Sequence, residues 1–295
     1  MESEAIVSES TTLQERRKKK PLTSLAPEYI PVERIKQDIR LAASTMSEQE
    51  ARYLVDLYYM MQENRKAAAN QVRALGENTE PNATLAWVAG QAESLEAQVK
   101  KALGTFSQSR VVGQWAESIV GIGPVISAGL IANIDIEKAP TVGHIWRFAG
   151  VDPTVRWEKG QKRPWNASLK TLVWKIGDSF VKFHNHERDI YGKVYVARKE
   201  YEVARNERGD NAEYAARALE TKRWRPETEA FKAYSVGKLP AGQIDARAKR
   251  YAAKLFLAHL HHVMYEDRYG VPPPLPYILT QPGHVHFIAP PGWPL

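Results

Sequence analysis

The sequence predicts a mainly α-helical protein, in which an N-terminal helical hairpin or coiled coil precedes a helical domain that contains a helix-hairpin-helix. Apolar residues recur at helical spacing over long stretches. Between Ser118 and Ile134, an alternating run of apolar residue, Gly, apolar residue and Gly separates two apolar stretches. Eight prolines follow Gly270. These observations predict four regions: a disordered basic arm at 1–30, a helical hairpin or coiled coil at 31–110, a helix-hairpin-helix domain at 111–269 and an extended Pro-rich tail at 270–295.

The first region contains the basic run from Arg16 to Lys20 amid Ser, Thr and Glu, without periodic apolar positions. A segment of this composition buries too little apolar surface to fold alone. We predict a disordered arm that either adds phosphate contacts or is a solvated tail.

The second region begins with a capping box, because Ser47 is followed three residues later by Glu50. The helix that starts there would extend about 40 Å at ~1.5 Å per residue, and the turn signals at Gly76–Asn82 end it. A partner helix follows with apolar residues at alternating steps of three and four: Leu85, Val88, Ala92, Leu95, Val99 and Ala102. This spacing is that of a coiled-coil seam. Either an antiparallel hairpin or a two-chain coiled coil satisfies it, and the second makes the chain a homo-oligomer.

The hinge of the third region reads Gly121-Ile-Gly-Pro-Val. We expect Gly121 and Gly123 to serve a tight or positive-φ turn and the close approach of another backbone, and Pro124 to begin the second helix. The free N–H groups and positive dipole end of that helix would suit a nucleic-acid phosphate. Val125 occupies a place where many DNA-binding hairpins carry Lys or Arg. A tight helical hairpin buried for packing alone is the alternative.

A basic stretch with interleaved tryptophans follows between Arg156 and Lys175. Cations neutralise phosphates, and indole rings stack on bases. The predicted nucleic-acid contacts are Arg156, Trp157, Lys159, Lys162, Arg163, Trp165 and Lys170, with a core position as the alternative for the two tryptophans. Trp146 and Trp174 lie among apolar neighbours and are expected in the core.

The chain after Tyr191 predicts two solvated, charge-rich helices broken near Gly209. A helix at 244–265 then has one apolar face made by Ala253, Phe256, Leu257, Leu260 and Met264. On another face it places an outward basic stripe, from which we expect further nucleic-acid contacts: Arg247, Arg250 and Lys254, with His261 in line.

Composition sets the outer limits. The 295 residues carry a net charge of +7, which permits a polyanionic partner without naming one. The chain has no cysteine and no apolar run long enough for a membrane span or a signal peptide, so we expect no membrane association. A cytoplasmic location in a bacterial or phage-infected cell is the resulting expectation.

Catalytic and metal motifs are weak. His184-Asn-His186 lacks the ββα context of a metal-dependent nuclease. Five histidines near the C-terminus have no spacing that fixes a metal site: His259, His261, His262, His284 and His286. No phosphate-binding Gly-Lys-Ser/Thr loop and no Gly-x-Ser-x-Gly elbow occurs. We therefore expect neither a metal nor a cofactor.

Four blocks, taken together, resemble the C-terminal domain of the IS116/IS110/IS902 family of transposases, which are bridge-RNA-guided recombinases. They are Gly121–Ala132, Ile145–Pro153, the basic stretch and Ala248–Leu257. In that family a ribonuclease-H-like domain with four acidic metal ligands comes first, a coiled coil follows, and the C-terminal domain supplies a serine nucleophile. The resemblance covers roughly Val111 to Tyr269.

Two departures limit what the resemblance implies. The residues before the long helix are too few for the acidic domain, and Lys159 stands where the family places its serine, with Ser168 nearby but not aligned to it. We expect a nucleic-acid-binding protein of mobile-element or phage origin, with DNA favoured and structured RNA as another partner. The alternatives are an active recombinase component that uses Ser168 or a partner catalytic subunit, and a coiled-coil architectural or virion protein.

Overall fold

The computed structural model describes residues 35–74, 83–275 and 287–294. Within these ranges it has eleven α-helices and no β-strand, which confirms the mainly α prediction. The predicted arm at 1–30, the turn at Gly76–Asn82 and the histidines 284 and 286 lie outside the described residues. The helices are α1 (Gln37–Ala42), α2 (Glu48–Ala74), α3 (Ala83–Gln108), α4 (Val111–Ser118), α5 (Pro124–Asn133), α6 (Val142–Phe148), α7 (Ala167–Phe183), α8 (Tyr191–Glu207), α9 (Ala212–Thr221), α10 (Glu229–Ser235) and α11 (Ala241–Tyr269).

The chain divides into two compact units, and both α2 and α3 contribute to each of them. The first unit comprises residues 1–35 and 58–99, and the second comprises 36–57 and 100–295. The capping box at the start of α2 is confirmed. The Ser47 N–H donates to Glu50 Oε2 at 2.8 Å, and the Glu50 N–H donates to Ser47 Oγ at 3.3 Å.

In the first unit, an ion pair joins Arg65 of α2 to the largely buried Glu96 of α3. Burial and the neighbouring Glu96 carboxylate raise the pKa of Tyr58. The predicted seam is only partly covered within one chain, because Val99 is buried while Val88 is 47% exposed. The coiled coil and the homo-oligomer therefore stay predictions.

The core of the second unit lies around α11, which packs against α8, α7, α6 and α4. Four fully buried rings form its centre: Trp115, Phe180, Tyr191 and Phe256. Trp115 stacks on Phe256 with ring centroids 5.8 Å apart, and Phe180 stacks on Tyr191 at 4.9 Å. Large aromatic side chains of this kind contribute most of the apolar area that a helical core buries.

The predicted apolar face of α11 is confirmed, since all five of its residues are buried. The placement of His261 on the outward stripe is wrong, because its side chain is 2% exposed and its Nε2 lies 2.8 Å from the Ala139 carbonyl oxygen. The physical reason is that α11 is covered on more than one side, and the turn at Ile136–Lys138 packs on its C-terminal half.

The break near Gly209 is confirmed, because this residue has φ +83° between α8 and α9. The description of these helices as solvated is wrong for α8. Its Tyr191, Tyr195, Glu202 and Asn206 are buried, since α8 packs along α11. The Tyr195 hydroxyl donates to Asp245 of α11, and the Asn206 amide donates to the Leu239 carbonyl oxygen just before α11.

Beyond α11 the described residues adopt no helix or strand. Gly270 ends α11 with φ +70°. Further along, the carbonyl oxygens of Ile288 and Pro291 accept hydrogen bonds from His259 and Trp115, both at 2.9 Å. The part of the chain that the structure describes contains no helix with the length and apolarity needed to cross a membrane.

Candidate nucleic-acid interface

The hinge between α4 and α5 lies against α7. Gly121 has φ +94°, its carbonyl oxygen accepts a hydrogen bond from Ser179 Oγ at 2.6 Å, and a Cβ added to it would lie 3.2 Å from that Oγ. The close neighbours of Gly121 are side chains rather than the predicted second backbone, while the prediction of a positive φ is confirmed for this residue. It is wrong for Gly123, whose φ of −103° suits any residue and whose added Cβ would meet open space.

Pro124 is the first residue of α5, as predicted. No side chain in the described chain caps this helix end. The Val125 side chain is 6% exposed, so a ligand at this end would be met by backbone N–H groups rather than by that side chain.

The predicted basic stretch forms the segment between α6 and α7 and the first turns of α7. Its cations Arg156, Lys159, Lys162 and Arg163 are exposed. Lys159, which stands in the place of the family's serine, is therefore on the surface, and Ser168 is exposed in the first turn of α7.

Two tryptophans support this segment. The Trp157 side chain donates from Nε1 to the Gln161 carbonyl oxygen at 2.7 Å and remains 38% exposed. It meets Trp165 edge-on at 6.4 Å between centroids. Lys170 Nζ lies 3.8 Å from the Trp165 centroid, and Arg163 Cζ lies 5.5 Å from that of Trp157. Each ring therefore holds a cation at its face.

The expected core position of Trp174 is wrong, because this side chain is 63% exposed. Adjacent helical residues point about 100° apart, so the buried Val173 beside it does not bury Trp174. Trp146 is half-buried. Its Nε1 donates to the Lys254 carbonyl oxygen at 3.1 Å, and Lys254 Nζ lies 4.0 Å from the ring centroid.

The fold brings four predicted cations together, and we call Arg163, Lys170, Arg250 and Lys254 the basic surface. Burial, followed by the charges of Arg250 and Arg163, lowers the pKa of Lys170. Burial also lowers the pKa of Lys254, and Arg250 adds to this effect while Asp152 opposes it. Cations from the loop, α7 and α11 thus lie near enough to repel one another.

Two cavities adjoin the basic surface, and Arg250 lines both. One of ≈ 510 Å³ is lined by Lys170, Trp174 and Lys249 among others. The other, of ≈ 520 Å³, is lined by six cations and three carboxylates: Arg198, Arg205, Arg217, Arg247, Arg250, Lys254, Glu202, Asp210 and Glu213. We call the second one the arginine cavity.

The arginine cavity contains site residues that sequence reasoning missed. Glu202 is 1% exposed and pairs with Arg198, with Arg205 at 3.7 Å and with Arg247 at 3.3 Å. The i, i+4 spacing of Arg198 and Glu202 was available in the sequence. The same spacing is common on solvated helices, however, and nothing local indicates that α11 supplies Arg247.

The histidines of the predicted weak motifs bond within the fold. His184 Nδ1 lies 2.6 Å from the Val181 carbonyl oxygen, and His186 Nδ1 accepts from the Arg188 N–H at 3.2 Å. Among the residues placed by the structure, no group of three or more His, Asp or Glu could hold a metal ion.

Residues 113–189 match the family described as the Transposase IS116/IS110/IS902 family. The match extends from α4 to the residues before α8 and confirms the resemblance to the C-terminal region of these transposases. It supports a transposase-related function. No curated protein and no solved structure matches the chain.

Proposed function

We propose that the chain is a nucleic-acid-binding protein of mobile-element or phage origin, with DNA favoured, related to the DNA-handling part of a transposase. The observation that carries the proposal is the basic surface, in which Lys170 and Arg250 line one cavity and Arg250 and Lys254 line the other. The family match at 113–189 includes two of these cations, Arg163 and Lys170.

The energetics of the basic surface favour a polyanionic ligand. Holding like charges together in a partly desolvated place raises the free energy of the unbound protein. A strand of phosphates relieves this repulsion and releases its own condensed counterions. The exposed rings of Trp157 and Trp174 offer faces on which bases can stack, an interaction of about 1–3 kcal/mol per base.

Other predicted contacts belong to the same proposal. The exposed Arg156, Lys159 and Lys162 would meet phosphates along the loop, and the uncapped start of α5 at Gly123 would offer backbone donors. A homo-oligomer through the α3 seam would present two such surfaces, and light scattering that finds a monomer at all concentrations would refute it.

The experiment compares two variants with equal loss of charge. The first changes Arg163, Lys170 and Arg250 to Gln, and the control changes Lys66, Lys138 and Lys232 to Gln. Fluorescence anisotropy with duplex DNA, single-stranded DNA and structured RNA is measured across a salt series. We expect the first variant to reduce the slope of log affinity against log salt by about two to three, at about 0.9 per lost duplex contact.

The control variant should keep most of the slope, because its three lysines lie on other elements and pair with nearby carboxylates. Equal losses in both variants would show that only net charge matters. Absence of binding by the unmodified chain to all three ligands at low salt would refute the proposed function.

A second candidate is an active recombinase component, favoured by the exposed Ser168 within the matched segment. It requires either the Ser168 hydroxyl or a partner catalytic subunit. Full strand-transfer activity in a Ser168→Ala variant would eliminate the serine version.

A further inference from the structure

The arginine cavity differs from the basic surface in how its cations are held. It is an open cavity lined by residues of α8, α9, α11 and the segment around Val151 and Pro153. Its six cations exceed its three carboxylates, so the lining has a net positive charge. A cavity of ≈ 520 Å³ falls within the range of about 300–1,000 Å³ that small-molecule sites occupy.

Glu202 positions three guanidinium groups with one buried carboxylate. Each guanidinium has five N–H donors, and a carboxylate cannot satisfy all the donors of three such groups. Arg198 Nε is buried without a hydrogen-bond partner among the described residues, and Arg250 also lines the cavity. Arg205 is also shared with Asp210 at 3.5 Å. The cavity therefore retains unused donors, and its lining as a whole has three more cations than carboxylates.

Aromatic rings and an amide fix these arginines before any ligand arrives. Arg198 Cζ lies 4.6 Å from the Tyr251 ring centroid, and Arg247 Cζ lies 5.2 Å from that of Tyr214. Arg247 Nη1 also donates to Asn211 Oδ1 at 3.0 Å. A planar guanidinium held in this way binds phosphate oxygens at a small entropic cost.

We propose that the arginine cavity binds the terminal phosphate monoester of a nucleotide, with its base or sugar against the half-exposed rings of Tyr214 and Tyr251. A monoester carries close to two negative charges at neutral pH and so neutralises more of the lining's excess positive charge than an internal phosphodiester, which carries one. The nucleotide is either a strand end, in which case the inference rests on the proposed function, or a free nucleotide.

The test uses the full chain and four probes. Three are internally labelled single-stranded DNA 12-mers with a 5′-phosphate, a 3′-phosphate or hydroxyls at both ends, and the fourth is adenosine 5′-monophosphate. We expect one end phosphate to tighten binding at least tenfold over the hydroxyl-ended strand. Excess adenosine 5′-monophosphate should remove that advantage by competing for the cavity.

The variant Arg247→Lys keeps the charge and loses the fork that bonds phosphate oxygens in pairs. It should abolish the advantage of the end phosphate, measured within the same variant as the ratio of affinities for phosphate-ended and hydroxyl-ended strands. Arg268→Lys, on the exposed end of α11 and outside the cavity lining, is the matched control and should leave this ratio unchanged.

Thermal melting checks that each variant is folded. If Arg247→Lys unfolds, Arg217→Lys replaces it, since Arg217 is largely exposed and pairs only with Glu213 of its own helix.

The outcomes separate this inference from the proposed function. Binding of adenosine 5′-monophosphate without any end-phosphate effect, lost in Arg247→Lys, would support a free nucleotide as the ligand even if no strand bound. Equal binding of all three strands, with no binding of adenosine 5′-monophosphate, would overturn the inference and leave the proposed function standing. Absence of binding to all four probes would overturn the inference, and the measurements with duplex DNA and structured RNA would then decide the proposed function separately.

Discussion

Glu202 illustrates how one residue decides the chemistry around it. A buried carboxylate is costly unless cations and hydrogen bonds compensate it, and removing one partner of such a group typically costs about 3–5 kcal/mol. Two of its partners, Arg198 and Arg205, lie one turn away on α8, but Arg247 is 45 residues distant along the chain. Local sequence shows the first two contacts as a common surface pattern and gives no sign of the third.

His259 makes stability depend on pH. Burial lowers its pKa to about 4, its Nδ1 lies 2.6 Å from the Tyr191 hydroxyl, and its Nε2 donates to the Ile288 carbonyl oxygen. In the unfolded chain a histidine has a pKa near 6.5. Between these values the unfolded state binds a proton that the folded His259 does not, so stability is fully present above about pH 6.5 and is lost as pH falls toward 4.

We expect the free energy of unfolding to decrease by about 2 kcal/mol between pH 7 and pH 5 from this residue. Burial also lowers the pKa of His261, which adds to the loss in the same direction. Urea unfolding at several pH values measures the effect, and His259→Gln should reduce it because Gln does not titrate. An identical pH dependence in the variant and the unmodified chain would assign the acid sensitivity to other groups.

The sequence predicted where single helices begin and which residues form their apolar faces better than it predicted which other faces are covered. The 3.6-residue periodicity of α11 identified its apolar face, and the Gly-Pro hinge identified where α5 begins. Trp174 was misplaced because apolar neighbours in sequence point in other directions on a helix, and His261 because the periodicity of α11 describes one helix alone. Which faces are covered depends on α7, α6 and the turn at Ile136–Lys138, and these partners are set by tertiary packing.

The hinge provides a matched test at the scale of this element. Gly121→Ala should lower the free energy of unfolding by about 1–2 kcal/mol, because a side chain at φ +94° is strained and the new Cβ would press on Ser179 Oγ. Gly123→Ser should change it by less than about 0.5 kcal/mol, since its backbone is extended and Ser is favoured at a helix N-cap. Chemical denaturation measures both, and equal losses would contradict the assigned roles.

Across the whole molecule, the sequence predicted the fold class and named each cation of the basic surface. It did not predict that these cations lie close together. Arg163, Lys170 and Arg250 were each expected to contact nucleic acid, and the fold places them close enough to affect the pKa of Lys170. The arginine cavity was missed because its residues come from α8, α9 and α11, which are adjacent only after folding. Charge along the chain therefore identified single cations, whereas their grouping into one surface depends on tertiary packing.

The C-terminal segment closes the second unit and offers a test of its cooperativity. A chain that ends after Pro274 loses the carbonyl oxygens that accept from the buried Trp115 indole and from His259. A buried donor left without its acceptor costs about 1–3 kcal/mol, and the removed segment also covers apolar surface with the buried Pro290. We expect a loss of about 2–4 kcal/mol in the free energy of unfolding. In the untruncated chain, Trp293→Phe removes the hydrogen bond to Glu266 and part of the ring surface but keeps the acceptors for Trp115 and His259, and it should lose about 1 kcal/mol. Thermal and urea unfolding compare the three chains, and an unchanged midpoint in the truncated chain would mean that the segment adds nothing to the stability of the core on which it lies.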